Sequence, residues 1–223
     1  MDLREALKTR KSIRGFKPTP VPDELITDIL DFARLSPSSV NSQCWEFVVL
    51  TGKSLEMAKA TNVERTLAGA EMSPDVPAQL YTGRYRERQV ALGKMVYGLM
   101  HIARDDQEGR IRWHLRGMQF FDAPAVILIC LDESAYNRDS QLPLFDAGIV
   151  THSIALLALE HGLGTCIQAI AVAYSEALKR ALDIPLSKRL IVSVAVGYPD
   201  WDFPANAVES EREPLESLTM WKA

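Results

Sequence analysis

Apolar residues fall into three kinds of run along this chain, and each kind predicts a different element. Over 23–33, Leu25, Ile26, Ile29, Leu30 and Ala33 recur at helical spacing behind an Asp23-Glu24 start, after Pro18, Pro20 and Pro22 break the chain. Ala125-Val126-Ile127-Leu128-Ile129-Cys130-Leu131 is unbroken and of strand length, the pattern of a central strand covered on both faces. Residues 145–161 predict a helix with hardly a polar face, buried all round inside a domain or in a subunit interface.

The remaining elements follow from spacing and breakers. Helices are predicted over 2–9, 53–69, 85–104, 111–121 and 175–182, and strands over 45–50, 165–171 and 190–197. Gly162-Leu163-Gly164 ends the apolar helix by the usual glycine mechanism. Pro74, Pro77 and Gly83 make 72–83 a mobile connection, and Asp105 to Gly109 a polar break. The stretch 70–122 reads as an insertion or lid, or as a plain pair of surface helices. The tail 198–223 has little periodicity but carries Trp201, Phe203, Leu215, Leu218 and Trp221, anchors that would dock somewhere, with a neighbouring subunit as one candidate.

Composition narrows the class. With 223 residues, 47% hydrophobic and 24% charged, the chain fits a single large domain, 1–223, with a substantial core. A net charge of −4 argues against a nucleic-acid partner. The start lacks the apolar region of a signal peptide, and no apolar stretch reads as long enough for a bilayer, so a cytoplasmic protein without a membrane partner is expected. Cys44, Cys130 and Cys166 are widely spaced and odd in number, which predicts free thiols rather than a metal pair or disulfides. The four histidines stand singly, and His152 reads as a core histidine; no metal ligands are nominated. GxGxxG after a strand, GxxxxGK[ST], HExxH and GxSxG do not occur, which removes the usual support for Rossmann, P-loop, zincin and hydrolase chemistry.

Two polar groups carry candidate chemistry. Arg10-Lys11-Ser12-Ile13-Arg14 sets three cations and a hydroxyl together, donors suited to phosphate and to a polar chain or ring. Ser36-Pro37-Ser38-Ser39-Val40-Asn41-Ser42-Gln43-Cys44-Trp45 is a turn-forming run between a helix and a strand. Each has a plainer reading: cations that cap a helix and meet solvent, and ordinary loop residues.

The order of parts is more informative than either group. Arg-Lys-Ser-x-Arg-x-Phe, Pro-Val-Pro-x-Glu, Ser-Pro-Ser-Ser-x-Asn-x-Gln-x-Trp, Gly-Leu-Gly-Thr-Cys, Ala-Val-Gly-Tyr-Pro-Asp and Arg-Glu-Pro-Leu follow one another at compatible spacing. This order resembles the nitroreductase family of FMN-dependent oxidoreductases, most weakly over 53–122. The resemblance implies an α+β fold, a central mixed, mostly antiparallel sheet flanked by helices, and an intertwined homodimer with FMN at the interface. It places Arg10 and Lys11 on phosphate and ribityl, Ser12 on the ribityl or ring edge, and Arg14 on the pyrimidine side. Pro37, Ser38, Ser39, Asn41 and Gln43 would serve the partner's cofactor, and Arg212 would bind phosphate unless it pairs with Glu209 or Glu211. Gln168, Ala169 and Ile170 fall where the family sets backbone amides against flavin N5.

The implied activity is ping-pong: NADH or NADPH gives hydride to N5, then a nitroaromatic or quinone is reduced on the same face. No side-chain catalyst is nominated. Tyr81, Tyr85, Tyr97, Trp113, Phe120 and Phe121 would shape the acceptor pocket or simply pack. Reductive dehalogenation, enone reduction, flavin breakdown and a non-catalytic flavin-binding role remain alternatives.

Overall fold

The structure is a computed structural model that describes residues 1–136 and 140–222. The chain order is α1 (Leu3–Thr9), α2 (Asp23–Ala33), β1 (Trp45–Thr51), α3 (Gly52–Leu67), α4 (Gly83–Leu99) and α5 (Gln107–Met118). β2 (Ala125–Asp132), α6 (Leu142–Glu160), β3 (Gly164–Gln168), α7 (Ser175–Ala181), β4 (Lys188–Gly197) and α8 (Leu215–Leu218) follow.

The strands form one sheet in the order β1-β2-β4-β3, with every neighbour antiparallel. Among the described residues the one parallel pairing is a single bridge between Ser12 and Thr165. β2 lies inside, and residues 125–131 are buried on both faces, as their unbroken apolar run requires. Alternation divides them. Val126, Leu128 and Cys130 join Leu55, Phe120 and Leu178 on one face, while Ile127, Ile129 and Leu131 join Ile26, Ile29, Val150 and Ile154 on the other.

Several elements differ from the sequence expectation. α4 stops at Leu99, because the chain turns through His101 at φ 53°, and it buries only Val96. The polar break is a helix start: Asp106 Oδ1 accepts from Gly109 N–H at 2.8 Å and caps α5. Trp113 packs on Phe121 at 5.4 Å between ring centroids, and Phe120 and Phe121 are core, whereas Tyr81 and Tyr85 are exposed.

Within its own chain α6 is buried on one side only, so of the two expected covers the domain core accounts for its inner face alone. Its 19 residues are apolar enough to cross a membrane, contrary to the expectation that no stretch would be, yet the fold lays it against the sheet and α2. Its outer stripe, Leu142, Phe145, Ile149, His152 and Leu156, is exposed or half-buried at alternating spacings of three and four. His152 is therefore a surface residue of this chain and not a core histidine.

The connection 72–83 is anchored at its start, contrary to a fully mobile reading. Ser73 N–H donates to Ala173 O at 2.9 Å. Asp75 accepts from Lys179 Nζ (3.0 Å), Ser175 Oγ (3.0 Å) and Leu190 N–H (2.8 Å), and its side chain and that of Lys179 are 9% and 4% exposed.

Candidate active site

α1 delivers the basic segment to the edge of the sheet. Arg10 caps the helix by donating its N–H to Ala6 O, and the chain then runs beside β3, with Ile13 N–H donating to Thr165 O at 2.9 Å. The close approach needs a glycine at 164, where a Cβ would fall 2.5 Å from Ile13 Cγ1 and 2.8 Å from Pro199 Cγ. The first part of the tail secures the same segment. Asn206, almost fully buried, accepts from Arg14 N–H (2.6 Å) and Gly15 N–H (3.2 Å) and donates to Gly15 O and Asp200 O (both 2.7 Å). Phe203 covers Gly15 so tightly that any Cβ there would stand 2.2 Å from its ring. Residues 198–207 thus dock on their own chain, while Leu215, Leu218, Met220 and Trp221 beyond them are exposed.

Arg10, Ser12 and Arg14 converge on Cys166. Burial pushes the Cys166 thiol up to about 11 against the opposing pull of Arg14, Ser12 and Arg10, so it stays protonated at neutral pH. Arg10 is half-buried, and its guanidinium pKa is lowered by that burial first and by the charge of Arg212 second. Arg212 itself donates to Ser210 O, Ser210 Oγ and Glu211 O at 2.8–3.0 Å, rather than to the carboxylates of Glu209 or Glu211. Like charges repel, and a dianionic phosphate within reach of both guanidiniums would turn that repulsion into charge-assisted hydrogen bonds. The donor set therefore fits the phosphate of FMN. Lys11 lies beside it, lining a cavity of about 290 Å³ with Arg10, Thr165, Pro199 and Trp201.

The second group sits on a loop held in uncommon backbone conformations. Val40, Asn41 and Gln43 have φ of 46°, 58° and 46°, and Val40, a β-branched residue, is almost fully exposed. Ser38 Oγ accepts from Gln43 N–H at 2.9 Å, and Ser36 Oγ lies 2.7 Å from Ser153 Oγ of α6. The main clamp is Asp146 of α6, 2% exposed, whose two oxygens accept from Ser39 N–H at 3.1 and 3.2 Å and whose Oδ2 accepts from Ser42 Oγ at 3.4 Å. Sequence reasoning missed Asp146. Its signal was a lone acid in an apolar helix, which is costly unless that acid binds something.

Replacing Asp146 with alanine is expected to free the loop. Hydrogen exchange at the Ser39 amide should accelerate by roughly 10- to 100-fold, the equivalent of about 1.5–3 kcal/mol for a bond to a charged acceptor. An unchanged rate would show that the loop holds itself.

The third group closes β3. Gln168 is buried, its Nε2 donating to Gly117 O at 2.9 Å and its backbone carbonyl accepting from Ser193 Oγ at 3.1 Å. The strand is shorter than expected because the chain turns at Ala169 into a 3-10 turn, Ile170–Val172. Ala169 and Ile170 are left exposed on the wall of a cavity of about 720 Å³.

The first and third groups share β3, but the second lies elsewhere. β1 and β3 are opposite edges of the sheet. Trp45 is level with Leu131 and Arg189, whereas Thr165 is level with Val196, seven residues further along β4. At about 3.3 Å per residue and about 4.8 Å between strands, Trp45 and Thr165 stand roughly 25 Å apart at opposite corners of the sheet, while Ser36 and Pro37 line a cavity with Met1, Leu3 and Ala6 at the start of α1.

The sequence profile of the Nitroreductase family matches residues 7–198. A 4-nitrobenzoate reductase of Pseudomonas putida is 32% identical over 221 residues, which cover 98% of this chain and 94% of that protein. The crystal structure of the FMN- and NADPH-dependent nitroreductase NfnB from Sphigopyxis sp. strain HMH superposes with a TM-score of 0.94 at 27% identity, covering 100% of both chains. That of the FMN-dependent nitroreductase NfnB from Mycobacterium smegmatis, in complex with NADPH, gives 0.92 at 25% identity, again over 100% of both. With its α+β fold matched from end to end, this chain belongs to the Nitroreductase family.

Proposed function

We propose that the protein is an FMN-dependent oxidoreductase that takes hydride from NADH or NADPH and reduces nitroaromatic or quinone acceptors, working as a cytoplasmic homodimer with composite flavin sites. The observation that carries this reading is the basic segment Arg10 to Arg14 held against β3 through the Ser12–Thr165 bridge and the Ile13 N–H to Thr165 O bond, in a fold shared with FMN-dependent nitroreductases. In this arrangement Arg10, Lys11 and Arg212 hold the phosphate, and Ser12 and Arg14 face the ribityl chain and the pyrimidine edge. The backbone at Ala169 and Ile170, after Gln168, faces N5. Bound FMN supplies the two-electron carrier; the protein supplies orientation, charge and exclusion of water. A cation at Arg14 favours the anionic form of a reduced ring.

The homodimer rests on two observations. The loop 37–43 leads into one edge strand of the sheet while the basic segment lies along the other, and α6 presents an uncovered apolar stripe through Leu142, Phe145 and Leu156. A second copy against that stripe brings its own Pro37 to Gln43 loop to the first chain's basic segment. The exposed end of the tail, with Leu218 and Trp221, and the mostly uncovered helix α4 are further surfaces for the partner, α4 serving as a lid. The neighbouring structures described as NADPH-dependent favour NADPH as donor.

Complementation tests the composite site. Homodimers of Arg10→Ala and homodimers of Asn41→Ala should each hold FMN poorly. Co-refolded mixtures contain heterodimers with one intact and one doubly damaged site, and tight FMN binding should reappear in them. Mixtures that bind no better than the average of their parents would mean each site is built from a single chain.

A further inference from the structure

The large cavity beside Ala169 and Ile170 differs in character from the rest of the site. Its volume of about 720 Å³ suits a single-ring aromatic molecule. One wall is the 72–79 segment pinned through Asp75, with Met72, Val76 and Pro77, and the opposite wall is apolar β4, with Ile191 and Val192. Among the described residues that line it, Gln79 alone has a polar side chain and none carries a formal charge. Lys179 and Arg189 belong to the neighbouring cavity, which shares Pro74, and both are engaged by Asp75. Of the α4 arginines, Arg88 pairs with Glu213 of the tail at 2.8 Å, while Arg84 and Arg86 donate to Tyr85 and Gln89 of the helix itself.

We propose that this cavity is the acceptor pocket and that it selects uncharged nitroarenes and quinones over anionic nitrobenzoates. The inference rests on placing Ala169 and Ile170 at the flavin edge, as above. A benzoate is ionised at neutral pH, and burying a carboxylate without a cation or a set of donors costs far more than an aromatic ring gains. Gln79 offers one amide, which suffices to orient a nitro or quinone oxygen but not to neutralise a charge. The carboxylate takes no part in the chemistry: Ar–NO2 with two electrons and two protons gives Ar–NO and water, the electron pair coming from NADPH and the protons from solvent. Discrimination therefore falls on binding. The preference is opposite to what the name of the Pseudomonas putida relative would suggest for that protein.

The test compares 4-nitrobenzoate with its methyl ester, which keeps the ring and the nitro group and removes the charge. The FMN-loaded dimer is reduced anaerobically with one equivalent of NADPH and mixed with each acceptor, and reoxidation is followed by absorbance. The ester should exceed the acid in second-order rate constant by at least about tenfold, given the penalty for an unpaired buried charge. Gln79→Arg should then raise the acid-to-ester ratio by about tenfold. An acid that reacts as fast as the ester, or a ratio that Gln79→Arg leaves unmoved, overturns the proposal. Reduction by NADPH with no reoxidation by either compound overturns the nitroreductase reading itself, and the pocket assignment with it.

Discussion

Asp75→Ala is expected to lower the unfolding free energy by about 3–5 kcal/mol, the usual result of leaving one member of a buried ion pair alone. Lys179 Nζ would keep only Lys188 O, at 3.1 Å, in a position 4% exposed. The carboxylate is also the hinge of three elements. It receives Ser175 Oγ from α7, Leu190 N–H from β4 and Arg189 from the same strand, and through them it fixes the 72–79 segment. Urea denaturation reads the loss as a fall in midpoint at constant slope. The double substitution Asp75→Leu with Lys179→Met, which replaces the pair with apolar groups, should recover a large part of it. A single-variant loss below about 1 kcal/mol would place the pair in effective contact with water, like a surface salt bridge.

Removing the two converging guanidiniums is expected to release the cofactor. Each charge-assisted contact to phosphate is worth about 1.5–3 kcal/mol, so Arg10→Ala and Arg212→Ala should each weaken FMN binding roughly 10- to 100-fold. The double variant also removes their mutual repulsion, so its loss should fall short of the sum. Riboflavin provides the control, because it shares the ring and ribityl chain and lacks the phosphate. Fluorescence titration should show riboflavin affinity nearly unchanged in both variants. Equal losses for FMN and riboflavin would move these arginines away from the phosphate, and no loss for either would return them to solvent.

Much of this architecture was legible because it follows from local periodicity. The unbroken run at β2 demanded cover on both faces and has it, and the helical spacing of Ile26, Ile29 and Ala33 buries those residues against the sheet. Gly162, at φ 68°, ends α6 where a glycine stop was expected. Boundaries set by tertiary contacts were not legible. Proline content at Pro74 and Pro77 suggested looseness, but a buried carboxylate between them ties the segment down, and nothing local marks its partners a hundred residues away. The same holds for Asn206, whose four hydrogen bonds position Arg14 and Gly15 across the chain.

The candidate site was legible by residue type and order, but its geometry was not. Ser12 pairs with Thr165 of β3, and the charges of Arg10 and Arg14 act on Cys166 of the same strand. The sheet register adds that the loop 37–43 leads into the edge strand opposite β3, in line with the expectation that it serves a different cofactor from Arg10. His152 lies on the outer stripe of α6, which faces away from the chain's own core, and apolar neighbours in sequence do not show which of a domain core or a subunit interface covers that face.

The central claim is that this protein carries reducing equivalents from a nicotinamide to a nitroarene through bound FMN. An anaerobic titration of the FMN-loaded protein with NADPH, followed by addition of nitrobenzene, tests it most directly. The flavin absorbance near 450 nm should bleach, with about one NADPH consumed per FMN for a two-electron carrier, and return on addition of the nitroarene. A flavin that stays yellow with both NADPH and NADH, or a protein that cannot be loaded with FMN, would contradict the account.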